Sequence, residues 1–198
     1  MSHKHRFEDL LNEKLVLASR SPRRAEILSA VGWAFEIIAA DIDEKRYEFE
    51  SAVPYVRRLA QTKAETVAKN LSTGLVLGAD TVVLVDEKIL GQPSDAEDAR
   101  RMLKLLSGRW HEVLTAVALL RADVNRSSID HLKTRVRFAE MSDAEIDWYV
   151  ETGEPMDKAG AYAVQGGAAF FIEEIQGDYF NIVGLPMRLV YKLALAMQ

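Results

Sequence analysis

Leu75–Leu90 reads LVLGADTVVLVDEKIL. From Leu75 to Val85 the run is almost wholly apolar apart from Asp80 and Thr81, the pattern of a strand covered on both faces. The polar turn Asp86-Glu87-Lys88 before Ile89-Leu90 then returns the chain as a hairpin, so the sheet cannot be purely parallel. Asp80 is the residue that the run must account for. An ionised carboxylate among aliphatic side chains is costly unless a metal, a cation or hydrogen bonds hold it.

Working outward toward the N-terminus, Val56, Leu59, Ala60, Ala64, Val67 and Leu71 recur at helical spacing after Pro54, with a charged opposite face. Further out, Lys14 to Ser19 (KLVLAS) predicts a short strand, and Ser21-Pro22 supplies an N-cap and a first-turn proline for a helix ending near Ala30. Phe35 to Ala40 predicts a second strand running into the acidic stretch Asp41 to Glu44. Toward the C-terminus, the pattern gives a helix over Ser94 to Leu106 and strands over Glu112 to Leu120 and Leu132 to Phe138. Ser142 and Glu145 form a capping box before Ile146, Tyr149 and Val150. A Gly- and Ala-rich run, Ala159 to Ala169, leads to a strand over Phe170 to Ile175, and Pro186 opens a terminal helix. Helices interleaved with strands and hairpins give a mixed α/β fold on a mixed sheet.

The chain has 198 residues, 48% of them hydrophobic, which supports a sizeable core. The expected division is a polar N-terminal extension over residues 1–13 and a single domain over 14–198. With no cysteine, a disulfide framework and a thiolate nucleophile or metal site are excluded. Met1 to Lys14 has no apolar signal core, and no later stretch approaches the roughly 20 apolar residues of a membrane span, so the expected location is the cytoplasm. The formal charge of -5 opposes the broad positive field that would hold a nucleic-acid polymer. Against that background Arg20, Arg23 and Arg24 reverse the local sign, which suits a small anion.

Three constellations carry candidate chemistry. Ser19-Arg20-Ser21-Pro22-Arg23-Arg24 stands between a strand and a helix N-terminus, where free backbone N–H groups, the helix dipole and forked guanidinium donors favour phosphate. An N-cap with solvated arginines fits the same residues. Asp80, in Gly78-Ala79-Asp80-Thr81, could ligate Mg²⁺ or take a proton from attacking water, or could be a structural acid in a bulge. Asp41, Asp43 and Glu44 offer oxygen ligands to a hard cation, although acidic loops are commonly just solvated. Lys63 lies near Leu59 and Ala60 on its helix and could project from the edge of the buried face. His3 and His5 sit in the polar extension without companion ligands, and His111 has no Ser-base or paired-histidine context.

Six separated motifs then resemble, in order, the Maf family of nucleotide pyrophosphatases: LASRSPRR (Leu17 to Arg24), RLAQTKA (Arg58 to Ala64), GADT (Gly78 to Thr81), LSGRWHEVLTAV (Leu106 to Val117), DKAGAYAVQG (Asp157 to Gly166) and GDYFNIVGLP (Gly177 to Pro186). The resemblance implies an elongated, two-lobed α/β fold like that of the inosine-triphosphate pyrophosphatases, with a central cleft, often as a homodimer. It implies a nucleoside triphosphate as the partner molecule and a divalent cation, Mg²⁺ or Mn²⁺, as cofactor. Asp80 matches the family's proton acceptor and a metal position. Ser19, Arg23, Arg24 and Lys63 fall in its triphosphate-binding motifs, and Asp43 matches an acidic position assigned to metal or water. Arg23, Thr81 and Gln165 match positions linked to substrate choice.

DKAGAYAVQG is similar to the branch acting on dTTP and UTP, which implies house-cleaning of pyrimidine nucleotide pools. A Gln amide offers both the donor and the acceptor that thymine and uracil require. One departure is Gly91-Gln92-Pro93, where the family usually has Lys before the proline. Gln92 remains a candidate substrate contact, with Arg109 as a substitute cation. The competing readings are a pyrophosphatase for 7-methyl-GTP or damaged purine triphosphates, and a weakly catalytic nucleotide-binding regulator of septum formation.

Overall fold

The computed structural model describes residues 8–124 and 126–197; His3 and His5 lie outside them. The elements are β1 (Leu15–Leu17), α1 (Pro22–Ala30), β2 (Phe35–Ile37), α2 (Ala52–Ala68), β3 (Leu75–Val85), β4 (Lys88–Leu90), α3 (Ala96–Leu106), β5 (Trp110–Arg121), β6 (Arg126–Phe138), α4 (Asp143–Glu151), β7 (Ile172–Gln176), α5 (Tyr179–Val183) and α6 (Met187–Ala196). Seven strands form one sheet in the order β2-β1-β3-β5-β6-β7, with β4 paired to β3. β1 runs parallel to both β2 and β3, whereas β3/β4 and β6/β7 are antiparallel. The sheet is therefore mixed, as the hairpin at Asp86 requires.

The chain divides into two compact units. The first holds the chain up to Asp80, Thr115–Leu132 and the chain from Gly184; the second holds Thr81–Leu114 and Lys133–Val183. In the first, the three residues of β1 are fully buried, as are Leu75 to Leu77 of β3. Parallel strands flanked on both sides leave no polar face, which explains their continuous apolar runs. Leu10 is buried and Glu13 pairs with Arg121, so the segment before β1 is fastened to the same unit. The second unit packs Leu103 and Leu106 of α3 against Val136, Phe138, Ile146 and Tyr149.

Glycine decides one close approach. A Cβ on Gly78 would stand 2.1 Å from the Ala60 carbonyl oxygen and 2.9 Å from the Ala64 nitrogen. Only the missing side chain lets β3 lie this near α2. Because side chains two apart on a strand share a face, Asp80 is turned toward the same helix.

At the hairpin, Asp86 and Glu87 both take positive φ, 47° and 64°. Two such residues make the mirror-image turn that matches the twist of paired strands. Arg109 forms an ion pair with Asp86.

Several boundaries differ from the sequence expectation. β2 stops at Ile37, and β6 begins at Arg126, its first residues being mostly polar and exposed or only partly buried, so that no apolar run marks them. The strand expected from Phe170 starts at Ile172, since Gly167–Phe170 closes a 3-10 turn. α2 opens at Ala52 behind Ser51, and α3 opens behind Asp95, whose side chain accepts from the Asp98 amide at 2.8 Å. The capping box of Ser142 and Glu145 is present. No helix among the described residues is long and apolar enough to cross a membrane.

Candidate active site

The first unit gathers charged side chains that its apolar surroundings would otherwise expel. Asp80 on β3 is 7% exposed, and Lys63 on α2 and Arg24 on α1 are each 8% exposed. Lys63 Nζ donates to Asp80 Oδ1 at 2.7 Å and stands 2.9 Å from Glu44 Oε1, so one ammonium serves two carboxylates. Burial, the largest cause, raises the Asp80 carboxyl above its ordinary value, while Lys63 and then Arg24 hold it down. The net result is a carboxylate with increased proton affinity.

Arg24 is fixed in place by neutral oxygens. Its Nε donates to the Gly184 carbonyl at 2.8 Å, and one terminal nitrogen donates to Ser19 Oγ at 2.9 Å. Burial lowers its pKa, opposed by Asp80. Ser19 Oγ also accepts from the Ser21 amide at 3.2 Å. Ser21 stands at the N-cap position of α1, yet its side chain makes no capping bond. Ser19 instead ties the loop to Arg24. Arg23, half-buried in the first turn of α1, adds a second cation that Arg24 feels electrostatically.

Among the sequence-predicted residues, Ser19, Arg24, Lys63 and Asp80 are therefore brought together, with Arg23 beside them. Asp43 is placed differently: exposed, its Oδ1 accepts from the Lys45 amide at 2.9 Å, while the next residue, Glu44, meets Lys63. Glu44 belonged to the acidic stretch, but composition cannot rank three neighbouring acids. Its position depends on how the segment before α2 folds back.

The remaining candidates lie in the second unit. Thr81 is half-buried on β3, with its side chain on the face opposite Asp80. Gln92 is exposed and its Nε2 donates to the Asp157 carbonyl at 3.2 Å. Gln165 is exposed on a turn that Tyr149 and Glu154 brace: Tyr149 Oη donates to Glu154 Oε1 at 2.6 Å and accepts from the Ala163 amide at 3.1 Å. The Gly167 amide donates to Glu154 Oε2 at 3.1 Å, and a Cβ on Gly166 would overlap that carboxylate. Arg109, the substitute cation, is paired with Asp86. His111 is buried edge-on to Phe138 and Tyr162, bonded to Tyr162 Oη at 2.8 Å.

Among the described residues, no group of three or more His, Asp or Glu side chains gathers as a metal site of its own. Two carboxylates converging on one cation do fit a hard divalent ion, which typically takes one or two protein carboxylates and fills its shell with phosphate oxygens and water. The first unit can thus grip a polyanion, share a cation and accept a proton.

A family profile described as Maf-like protein matches residues 14–197. The dTTP/UTP pyrophosphatase of Symbiobacterium thermophilum is 51% identical over 175 residues, covering 88% of this chain and 89% of that one. Its counterpart in Anaeromyxobacter dehalogenans is 52% identical over 176 residues, with 88% and 89% covered. The Ham1 protein of Staphylococcus aureus superposes over 93% of this chain and 97% of its own, with TM-score 0.51 and 15% identity, a likeness of fold alone.

Proposed function

Because the chain belongs to the Maf family, we propose that it hydrolyses dTTP and UTP to the nucleoside monophosphate and pyrophosphate. The observation that carries this reading is the Lys63 ammonium shared by Asp80 and Glu44 beside the Ser19–Arg24 cradle. These are the groups that triphosphate chemistry demands, assembled by one unit of the fold.

Arg23, Arg24 and Lys63 bind the triphosphate oxygens, with Ser19 and the start of α1 supplying hydrogen bonds. Asp80 and Glu44, in preference to Asp43, hold the divalent cation, Mg²⁺ or Mn²⁺. When bound, that ion supplies charge neutralisation to the phosphates. Asp80 takes a proton from water as the water oxygen bonds to the α-phosphorus. The bond from that phosphorus to the α,β-bridging oxygen breaks, and pyrophosphate leaves with the electron pair. Burial of Asp80 serves this step, since greater proton affinity makes the better base. Thr81 and Gln165 belong to base selection, with Gln165 pairing to the carbonyl and imide edge of thymine or uracil. The enzyme acts in the cytoplasm on the free nucleotide pool, and the assembly to test by light scattering is a homodimer.

A panel of canonical, methylated and damaged triphosphates, with monophosphate and pyrophosphate quantified separately, tests the reading. dTTP and UTP should lead, yielding the two products in equal amounts. Release of orthophosphate, or a purine substrate ahead of both pyrimidines, would sink it.

A further inference from the structure

Glu44 faces Lys63 from a segment that has no regular structure of its own. Its side chain is 57% exposed, residues 45–49 are all exposed, and Phe49 takes a left-handed φ of 61°. Something must hold this segment in one shape, or Glu44 would not stay at the ammonium.

That support comes from two side chains on α2, Arg58 and Tyr55. Arg58 grips Glu50 with both arms of its fork, Nε to Oε1 at 2.8 Å and a terminal nitrogen to Oε2 at 2.7 Å. The same terminal nitrogen reaches the Lys45 carbonyl at 3.1 Å, and the guanidinium lies 3.9 Å over the Tyr47 ring. Glu50 Oε2 accepts from the Tyr47 amide at 3.1 Å, and the Glu50 amide donates back to the Tyr47 carbonyl at 3.2 Å. One turn earlier on α2, Tyr55 Oη donates to the Glu44 carbonyl at 2.8 Å. Lysine could not reproduce this set, because a fork, a stacking plane and a further donor are used at once. Arg58 and Lys63 lie five positions apart, about 7.5 Å along the helix axis. The helix that carries the ammonium therefore also carries the clamp that delivers the second carboxylate to it.

We propose that Arg58, through Glu50, is the positioning residue for Glu44, setting that carboxylate against Lys63 and Asp80 for triphosphate hydrolysis. The catalytic part of the proposal rests on the functional reading above. The partners of Arg58 are Glu50, the Lys45 carbonyl and the rings of Tyr47 and Tyr55, so its effect on Lys63 and Asp80 runs through the segment it folds.

The experiment measures kcat and KM for dTTP at saturating Mg²⁺ in the wild type, Arg58→Lys, Glu50→Gln, Glu44→Gln and the two clamp variants combined with Glu44→Gln. Amide hydrogen exchange at Tyr47 and Glu50 is followed in each protein, with the folded fraction fixed by thermal unfolding. Arg58→Lys and Glu50→Gln should each lower kcat at least tenfold, change KM less than threefold and speed exchange at Tyr47 and Glu50 at least tenfold, leaving the α2 amides protected. In the Glu44→Gln background the clamp substitutions should cost less than twofold, since the group they position is already lost. A full tenfold loss there, or unchanged exchange at Tyr47 and Glu50, overturns the proposal. If Glu44→Gln leaves no measurable rate, exchange decides alone. A wild-type protein that turns over no triphosphate sinks the functional reading, while the exchange result still judges whether Arg58 shapes the segment.

Discussion

The surroundings of Asp80 in one unit and of Gln165 in the other hold their polar groups differently. Around Asp80, Lys63 stands between two carboxylates, while Arg24, anchored on the Gly184 carbonyl and the Ser19 hydroxyl, is coupled electrostatically to Asp80. Around Gln165 and Gln92, backbone contacts predominate: Glu154, itself bonded to Tyr149 Oη, takes the Gly167 amide, Tyr149 the Ala163 amide, and Gln92 reaches the Asp157 carbonyl. A charged network is suited to reactions in which charge and protons move, because each member's state depends on the others. Backbone bracing is suited to holding a recognition loop in one shape. Under the proposed function the first unit carries the chemistry and the second the selectivity, and each part of that proposal can be broken separately.

The largest effect should come from Asp80→Asn, which keeps the shape at β3 and removes the base. We expect kcat to fall on the order of 10³-fold, with the unfolding transition retained. A rate near that of wild type would end the assignment of chemistry to this unit.

In the second unit, acid should act on stability through His111. Burial lowers its pKa from 6.5 to about 4. A group depressed in this way is protonated more readily in the unfolded chain, so its contribution is complete above about pH 6.5 and is lost as pH falls toward 4. The loss amounts to about 3 kcal/mol if the whole shift is realised. Chemical denaturation of wild type and His111→Gln across that window measures it, and equal slopes against pH would refute the contribution.

Gly78→Ala should fall next in size, because the new methyl meets the Ala60 carbonyl and forces α2 away from β3. Overpacking of this kind costs about 1–3 kcal/mol. Lys63 moves with the helix, so kcat should drop together with the melting temperature, sharpening the claim that one close approach sets up the charged network. Smallest is Gln92→Lys, which adds a cation to the region that recognises without charge. KM for dTTP should fall by about tenfold, the low end of what a charge-assisted contact to phosphate contributes. An unchanged KM would show that position 92 does not reach the polyanion.

The burial of Asp80 against a cation was legible in the sequence because an acid in an aliphatic strand is costly without a partner. The sheet was legible for a related reason: β1 and β3 are buried on both faces, and unbroken apolar runs betray such strands. β6 was half hidden because its first residues are mostly polar and only partly covered. Glu44 and Arg58 could not be read, since the choice among Asp41, Asp43 and Glu44 depends on a guanidinium that looks from its helix position like an ordinary solvated residue. Gly78 stood inside a recognised motif, yet its function as a contact with no side chain needs the helix opposite it. Tertiary placement decides these cases, and local pattern contains no trace of it.

The turn at Asp86 and Glu87 has a practical consequence. Each of these residues holds a backbone shape disfavoured for L side chains by about 1–2 kcal/mol. Glycine would adopt it freely, so Glu87, which lies outside the Asp86–Arg109 ion pair, is where thermal endurance could be engineered into the protein while every residue of the phosphate chemistry stays as it is.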